Sequence, residues 1–299
     1  MIHTTNEWDQ LKSIIVGLAW GANKPEDCHF KNPGPYPSIV TAQADADLGR
    51  LAKILEQEGI EVHRPTKHSF PSFGMYNYCP RDRLLIVGDT VIDCNMQYEC
   101  RDEEINYLPM ATQNGTIRVP REEGIFFDAA NVCRLDDTLL YLISPSGNAE
   151  GAKWLQRQFP EHTVETTETY SGIHIDSTFV PIRNGLVLVN KDRVSVKTLP
   201  KCFKDWNIIW LGNEDLKEKS FVDEAFASNY ILLNFLMINP KLAVIDDCPR
   251  LEEELEKNGV VCHTIPFKHS RTLGGGHHCV TLDLVRDHNA ESITSSAKL

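Results

Sequence analysis

Apolar positions recur along the chain in two alternating patterns. In residues 45–65, Leu48, Leu51, Ala52 and Leu55 fall at helical spacing, Gly59 marks a stop, and Ile60 and Val62 alternate as in a strand. Residues 250–266 repeat this design, with Leu251 and Leu255 on the helix, Gly259 at its end and Val260-Val261 opening a strand. The text itself repeats, Leu55-Glu56-Gln57-Glu58-Gly59 beside Leu255-Glu256-Lys257-Asn258-Gly259. Residues 151–165 predict a third copy, with Trp154, Leu155 and Phe159 on the helix and a strand beginning at 163–165. Between these units lie hairpin signals. The clearest pairs residues 177–182 with 186–189 across Arg183-Asn184-Gly185, since Asn-Gly favours a tight strand-to-strand turn. Short apolar strands are also predicted at 84–87, 139–143 and 242–245. Strand pairs alternating with helix–strand units predict several related α/β modules packed around a centre. No Pro/Ser linker or low-complexity run divides them, so residues 1–299 read as one domain.

Composition narrows the class. With 299 residues, 41% apolar, the chain can bury a large core without staples. Its 30 Lys+Arg against 42 Asp+Glu give a net charge of −12, which speaks against nucleic acid or an anionic membrane surface as partner. The longest apolar stretch, residues 230–238, is interrupted by Asn234 and falls short of the roughly 20 residues a membrane span requires. The first residues have neither a basic nor an apolar leader region, so no signal peptide is expected. Nine cysteines, an odd number with no CxxC pair, fit neither a disulfide framework nor a zinc ribbon. A reducing cytoplasm, with most thiols buried, is the expectation.

Four polar clusters at strand ends could carry chemistry. Gly274-Gly275-Gly276-His277-His278-Cys279 delivers a cysteine to the start of a strand at 280–284, as a nucleophilic thiol requires. The same residues also fit a tight turn before a buried cysteine. Metal binding by three consecutive residues is disfavoured, because alternate side chains point apart. His174-Ile175-Asp176 on an extended stretch would place an imidazole and a carboxylate over one pocket, or form a polar pair at a strand start. Asp128, in Phe126-Phe127-Asp128-Ala129-Ala130-Asn131, is either a buried acid needing a cationic partner or a helix cap. Cys79-Pro80-Arg81-Asp82 reads on its own residues as a surface turn with a local ion pair.

Together, in this order and spacing, the four segments resemble the arginine amidinotransferase family, which includes the glycine and inosamine-phosphate enzymes. The resemblance runs from Glu7-Trp8-Asp9 and Ile14-Ile15-Val16-Gly17 to His278-Cys279 and Leu282-Asp283. It implies a pentein-type, pseudo-fivefold α/β propeller. It also implies that Cys279 is the nucleophile, His174 the general acid/base and Asp128 its carboxylate partner. Asp82, Asp176, Arg193 and Ser228 match positions that hold the substrate arginine. The implied reaction moves the amidino group of L-arginine to a primary amine through an amidino-cysteine, releases ornithine, and needs no metal or organic cofactor. The partners implied are small molecules, and a homodimer is left open.

The departures from the family pattern concern the acceptor. His277 stands where an aromatic is common, residues 114–123 replace a longer segment, and Ser171-Gly172-Ile173 precedes the histidine as in the aminocyclitol branch. Ser171 and Gly172 are expected to leave room beside His174. Arg271 or His277 is expected to favour an anionic acceptor, with an aminocyclitol phosphate ahead of glycine. Two other readings remain: a deiminase or dihydrolase using the same residues on water, and a non-catalytic binding protein of the pentein fold.

Overall fold

The apolar runs Leu84–Val87, Leu186–Asn190 and Leu242–Ile245 are strands buried on both faces, which is why they lack polar alternation. The computed structural model describes all residues except 1, 25–29, 68–76, 109–115, 169, 171 and 288–299. In it, five three-stranded sheets repeat one plan. Two strands pair antiparallel, and after a crossover a third joins the second in parallel. The second module is Leu84–Val87, Thr90–Asp93 and Thr116–Arg118, and the third is Val132–Leu135, Thr138–Leu142 and Thr163–Thr167. The fourth is Phe179–Arg183, Leu186–Asn190 and Asn207–Leu211, and the fifth is Leu236–Asn239, Leu242–Ile245 and Val261–Thr264. The first module joins the two ends of the described chain. Thr281–Asp287 lies antiparallel to Gln10–Val16, which pairs in parallel with Glu61–His63.

Three crossovers are the expected helices, Ser38–Gln57, Ala149–Gln158 and Pro249–Lys257. The first begins earlier than residue 45, because Val40 and Ala44 extend its buried stripe toward the N-terminus. Asn148 caps the second by accepting the Gly151 N–H, and Pro249 opens the third. The other two crossovers contain 3-10 turns, Glu99–Tyr107 and Lys201–Phe203, and no apolar periodicity announced them. The Asn184-Gly185 hairpin is present, with Gly185 at φ +78°.

Strand alternation closes the ring. Ile15, Leu282 and Leu284 pack with Leu84, Ile86 and Val91 between the first and second modules. Leu85 and Val87 face the other way, onto Leu139, Tyr141 and Trp154 of the third. Leu140 and Leu142 meet Val187, Val189 and Phe203 of the fourth, while Leu186 and Leu188 meet Ala243, Ile245 and Leu251 of the fifth. Leu236, Ile238 and Val244 then pack with Ile14, Val16 and the helix Ser38–Gln57, back at the first. Each period-2 set thus faces a different neighbour, so a one-residue slip in any strand would disrupt two seams.

Where the modules converge, charged side chains replace apolar ones. Arg134 donates to both oxygens of Glu7 at 2.8 and 2.7 Å and to Asp283 at 2.8 Å. Arg286 donates to Asp283 at 2.7 Å and to the Met237 carbonyl at 2.9 Å. Arg81 bonds Asp283 and the Thr281 carbonyl. All five of these side chains are buried. Removing one partner of such a cluster leaves the others uncompensated. Asp283→Asn is therefore expected to lower unfolding free energy by about 3–5 kcal/mol in denaturant titration. A loss of only a few tenths would show that the cluster does not hold the ring.

Candidate active site

Segments from separate modules meet at a cavity of about 290 Å³, lined by Asp82, Asp128, His174, Asp176, Arg193, Ser228 and Cys279. All seven residues singled out in the sequence are therefore brought together. A larger cleft of about 540 Å³ lies elsewhere, and none of the seven lines it.

Cys279 lies in the turn leading into Thr281–Asp287, one residue later than the sequence pattern predicts for the strand start. Gly274, at φ +82°, ends the short helix Ser270–Leu273 in a left-handed conformation. A Cβ on Gly276 would come within 2.8 Å of Asn234, so the loop can press against that residue only as glycine. Asn234 in turn fixes the loop: its Oδ1 accepts the Cys279 N–H at 3.0 Å and its carbonyl accepts the His278 N–H at 3.2 Å. Its Nδ2 donates to the Asp176 carbonyl at 3.2 Å. The Cys279 thiol is 3% exposed, so it meets solvent only through the cavity, and it donates to Asp176 Oδ2 at 3.1 Å. The adjacent Cys79 thiol, burial and the Asp176 charge push its pKa well up, against the pull of His174.

His174 and Asp176 are not on a strand. Residues 172–178 form a bend and turn, and the strand begins at Phe179. The turn is anchored by the Ile175 N–H on the Ala130 carbonyl, 3.0 Å, beside the Asp128 segment. His174 Nε2 lies 3.0 Å from Asp128 Oδ2, and Nδ1 lies 3.8 Å from Asp82 Oδ1. Asp128 does occupy the capping position of the 3-10 turn Ala129–Asn131, but its side chain makes no capping bond and serves His174 instead. Burial acts against a charged His174, yet Asp82 and Asp128 raise its pKa well above the ordinary value.

The Cys-Pro-Arg-Asp segment is not a surface turn with a local ion pair. Pro80–Arg83 is a buried helical turn that sends neighbouring side chains apart, Arg81 to the central ions and Asp82 to the cavity. Asp82 Oδ2 accepts from Arg101 at 2.9 Å, and Arg101 also grips both oxygens of Glu104. Burial raises the Asp82 pKa, opposed by His174 and Arg101. Asp82 Oδ1 and Asp128 Oδ1 are both buried without a hydrogen-bond partner among the described residues.

Arg193 donates to Ser177 at 3.1 Å and Thr178 at 2.7 Å, and its guanidinium lies between the rings of Tyr170 and Tyr230. Ser228 sits at the start of the turn Asn229–Leu233 with its hydroxyl uncommitted to capping. The acceptor expectations fare differently. Arg271 does not line the cavity and is spent on the carbonyls of Ala227 and Lys219. His277 is buried against Phe267, bonds the Ile265 carbonyl at 3.0 Å, and burial depresses its pKa to about 4, so it offers no positive charge to an acceptor. A Cβ on Gly172 would strike the Tyr170 ring at 2.7 Å, so that glycine accommodates tyrosine. Ser171, Cys28 and residues 114–115 lie outside the described residues.

Sequence reasoning missed Arg101, Glu104 and Asn234. Arg101 and Glu104 stood in a polar run that reads as a solvated face, and Asn234 appeared as an interruption in an apolar stretch. A polar residue inside the run 230–238 was the available signal, since such a residue must find buried partners.

No protein-family model matches the chain. Over 98% of its length it is 34% identical to inosamine-phosphate amidinotransferase 1 of Streptomyces glaucescens, covering 99% of that protein. The structure of an inosamine-phosphate amidinotransferase from Streptomyces griseus superposes with a TM-score of 0.88 at 33% identity, over 97% of this chain and 98% of that one. The L-arginine:L-lysine amidinotransferase of Pseudomonas savastanoi pv. phaseolicola is 28% identical over 96% of this chain and 94% of its own.

A thiol whose pKa is raised by its surroundings reacts through a small thiolate fraction that grows with pH. Alkylation of Cys279 by iodoacetamide, followed by peptide mapping, is therefore expected to be slow near neutrality and to rise about tenfold per pH unit. Rapid, pH-independent alkylation would mean that the thiolate already exists without substrate.

Proposed function

Because the chain belongs to the amidinotransferase family, we propose that its cavity transfers the amidino group of L-arginine to a primary amine, through an amidino group on Cys279, with release of ornithine. The observation that carries this reading is the pair of buried oxygens on Asp82 and Asp128 that lack a hydrogen-bond partner among the described residues, beside a thiol in one cavity. An unmet buried acceptor is costly, and a guanidinium brings both the N–H donors and the positive charge that would satisfy two of them.

The chemistry follows from the placement. Asp82, Asp128 and Asp176 hold the planar cation with its central carbon toward the sulfur. The bound cation offsets the carboxylate field that keeps Cys279 protonated, so the thiolate forms once arginine has entered. Sulfur attacks carbon, protonated His174 gives its proton to the departing amine, and the C–N bond breaks. The proton gained by ornithine is the one from His174, while the thiol proton passes to water when the thiolate forms. His174, now neutral, takes a proton from the incoming amine, which attacks the amidino carbon and displaces sulfur as a thiolate that regains its proton from water. No step calls for a metal or organic cofactor. Among the described lining residues Arg193 is the cation not paired with a carboxylate, so it would hold the carboxylate of arginine together with Ser228. After ornithine leaves, it would hold an anionic group on the acceptor, which fits an aminocyclitol phosphate or an amino acid. The acidic chain with buried thiols suits the cytoplasm.

Arginine without acceptor should load one amidino group onto the peptide containing Cys279, seen by intact and peptide mass spectrometry, with ornithine in solution. Citrulline in place of ornithine would assign the protein to the hydrolases. Cys279→Ala should abolish loading while leaving arginine binding in place. The supporting residues should separate by readout. His174→Asn is expected to slow loading by on the order of 10² or more with little change in affinity. Asp82→Ala, combined with Cys279→Ala, should weaken arginine binding in calorimetry. Equal affinities would remove Asp82 from the binding site.

A further inference from the structure

His278 precedes the cysteine in the chain but has no part in the mechanism above. Its two ring nitrogens face two different buried carboxylates: Nδ1 lies 2.9 Å from Asp176 Oδ2, and Nε2 lies 3.2 Å from Glu7 Oε2. A neutral imidazole can donate from one nitrogen only, and an ionised carboxylate can only accept. Both acids have reason to stay ionised. Glu7 is gripped at both oxygens by Arg134 and flanked by Arg81, which hold its carboxyl well below the usual range against the effect of burial. Asp176 Oδ2 already accepts from the Cys279 thiol.

We propose that His278 is a positioning residue held as an imidazolium, which fixes Asp176 and offsets its negative charge so that the neighbouring Cys279 can ionise. Two consequences follow from the geometry. Asp176 Oδ2 is shared between His278 and the thiol, which leaves Oδ1 for the substrate. When the thiol ionises, its hydrogen bond to Asp176 is lost and sulfur faces a carboxylate at hydrogen-bonding range. The cation on the far side of that carboxylate is what limits the repulsion. The groups facing His278 are Asp176 and Glu7 at its nitrogens, Asn234 at its backbone N–H, and Arg81 and Asp283 from the central cluster. Burial and Arg81 oppose the charged ring, while Asp176 and Glu7 favour it, and the balance raises its pKa.

The kinetic part of this inference rests on the amidinotransferase reading; the protonation part does not. The first test needs no change at His278. In ¹⁵N-histidine-labelled His174→Asn protein at about pH 8, where an ordinary histidine is neutral, one imidazole should still show protons on both ring nitrogens. If none does, the proposal fails. In His278→Gln, loading of Cys279 by arginine near pH 7 should fall by about tenfold, and the pH–rate profile should move about one unit to higher pH, as expected when a nearby cation is lost. Arginine affinity, measured in the Cys279→Ala background, should hold or tighten, because the site becomes more negative. A variant that loads less at every pH with an unmoved profile, or that loses affinity in step with rate, would assign His278 a purely structural role and overturn the proposal. Failure of the parent protein to load at all would instead refute the proposed function, leaving the NMR result to stand on its own.

Discussion

The structure depends on a cluster of buried ions at the axis of the ring. Asp283 receives Arg81, Arg134 and Arg286, and Glu7 receives Arg134 with Arg81 near by. These groups come from segments far apart in sequence, and Arg286 also reaches the Met237 carbonyl of the fifth module. Buried ions rarely stabilise better than apolar packing would, but they are demanding about geometry, because a misplaced partner leaves an uncompensated charge. Five similar modules have many near-equivalent ways to pack through apolar seams. A charge pattern that balances in one arrangement selects that arrangement. The pairing of the first and last described strands supplies the covalently distant half of the cluster, since Asp283 and Arg286 ride on Thr281–Asp287 and Glu7 precedes Gln10–Val16.

The same cluster positions the residues of the cavity. At two places the chain turns so that one residue faces the axis and the next faces the cavity, Arg81 then Asp82, and His278 then Cys279. Anchoring the first member by several hydrogen bonds helps to fix the second, so the second need not satisfy every polar atom it carries. That leaves the cavity side chains free to be under-satisfied, as the unpartnered oxygens of Asp82 and Asp128 are. The cost of those groups is carried by the surrounding fold, and binding of a cationic ligand would relieve it.

Much of this was legible from residues alone, and the limits have physical causes. The three helical crossovers announced themselves because an amphipathic helix of two turns or more needs a repeating apolar stripe. The described parts of the other two crossovers contain 3-10 turns whose residues carry no apolar stripe, so those modules were visible only through the strands around them. The apolar strands were legible in place but not in meaning: period-2 alternation was hidden because both faces are buried in different seams. At the site, the residues alone left Cys279, His174 and Asp128 with bland alternatives, and only the resemblance of the four segments to a known family implied their roles. The bland reading of Cys-Pro-Arg-Asp failed because Arg81 and Asp82 look like a local pair in one dimension and have unrelated partners in three. Arg271 and His277 misled for the opposite reason, being basic residues near the motif in sequence but turned away from the cavity.

Charge also explains why a carboxylate-lined cavity suits the proposed transfer. Guanidinium and the amidino group left on sulfur are both planar cations, so the acids that receive the first would continue to hold the second while ornithine leaves. Cys79, burial and the Asp176 charge raise the pKa of Cys279, while Asp82 and Asp128, against burial, raise that of His174. In the proposed transfer the thiol would thus be guarded and the imidazole ready to act as an acid. On that proposal the nucleophile would be generated by the arrival of a substrate that brings positive charge. A neutral or anionic molecule entering the same cavity would leave the carboxylates uncompensated and the thiol unreactive. Selection for arginine would therefore act on the electrostatics of activation as well as on fit.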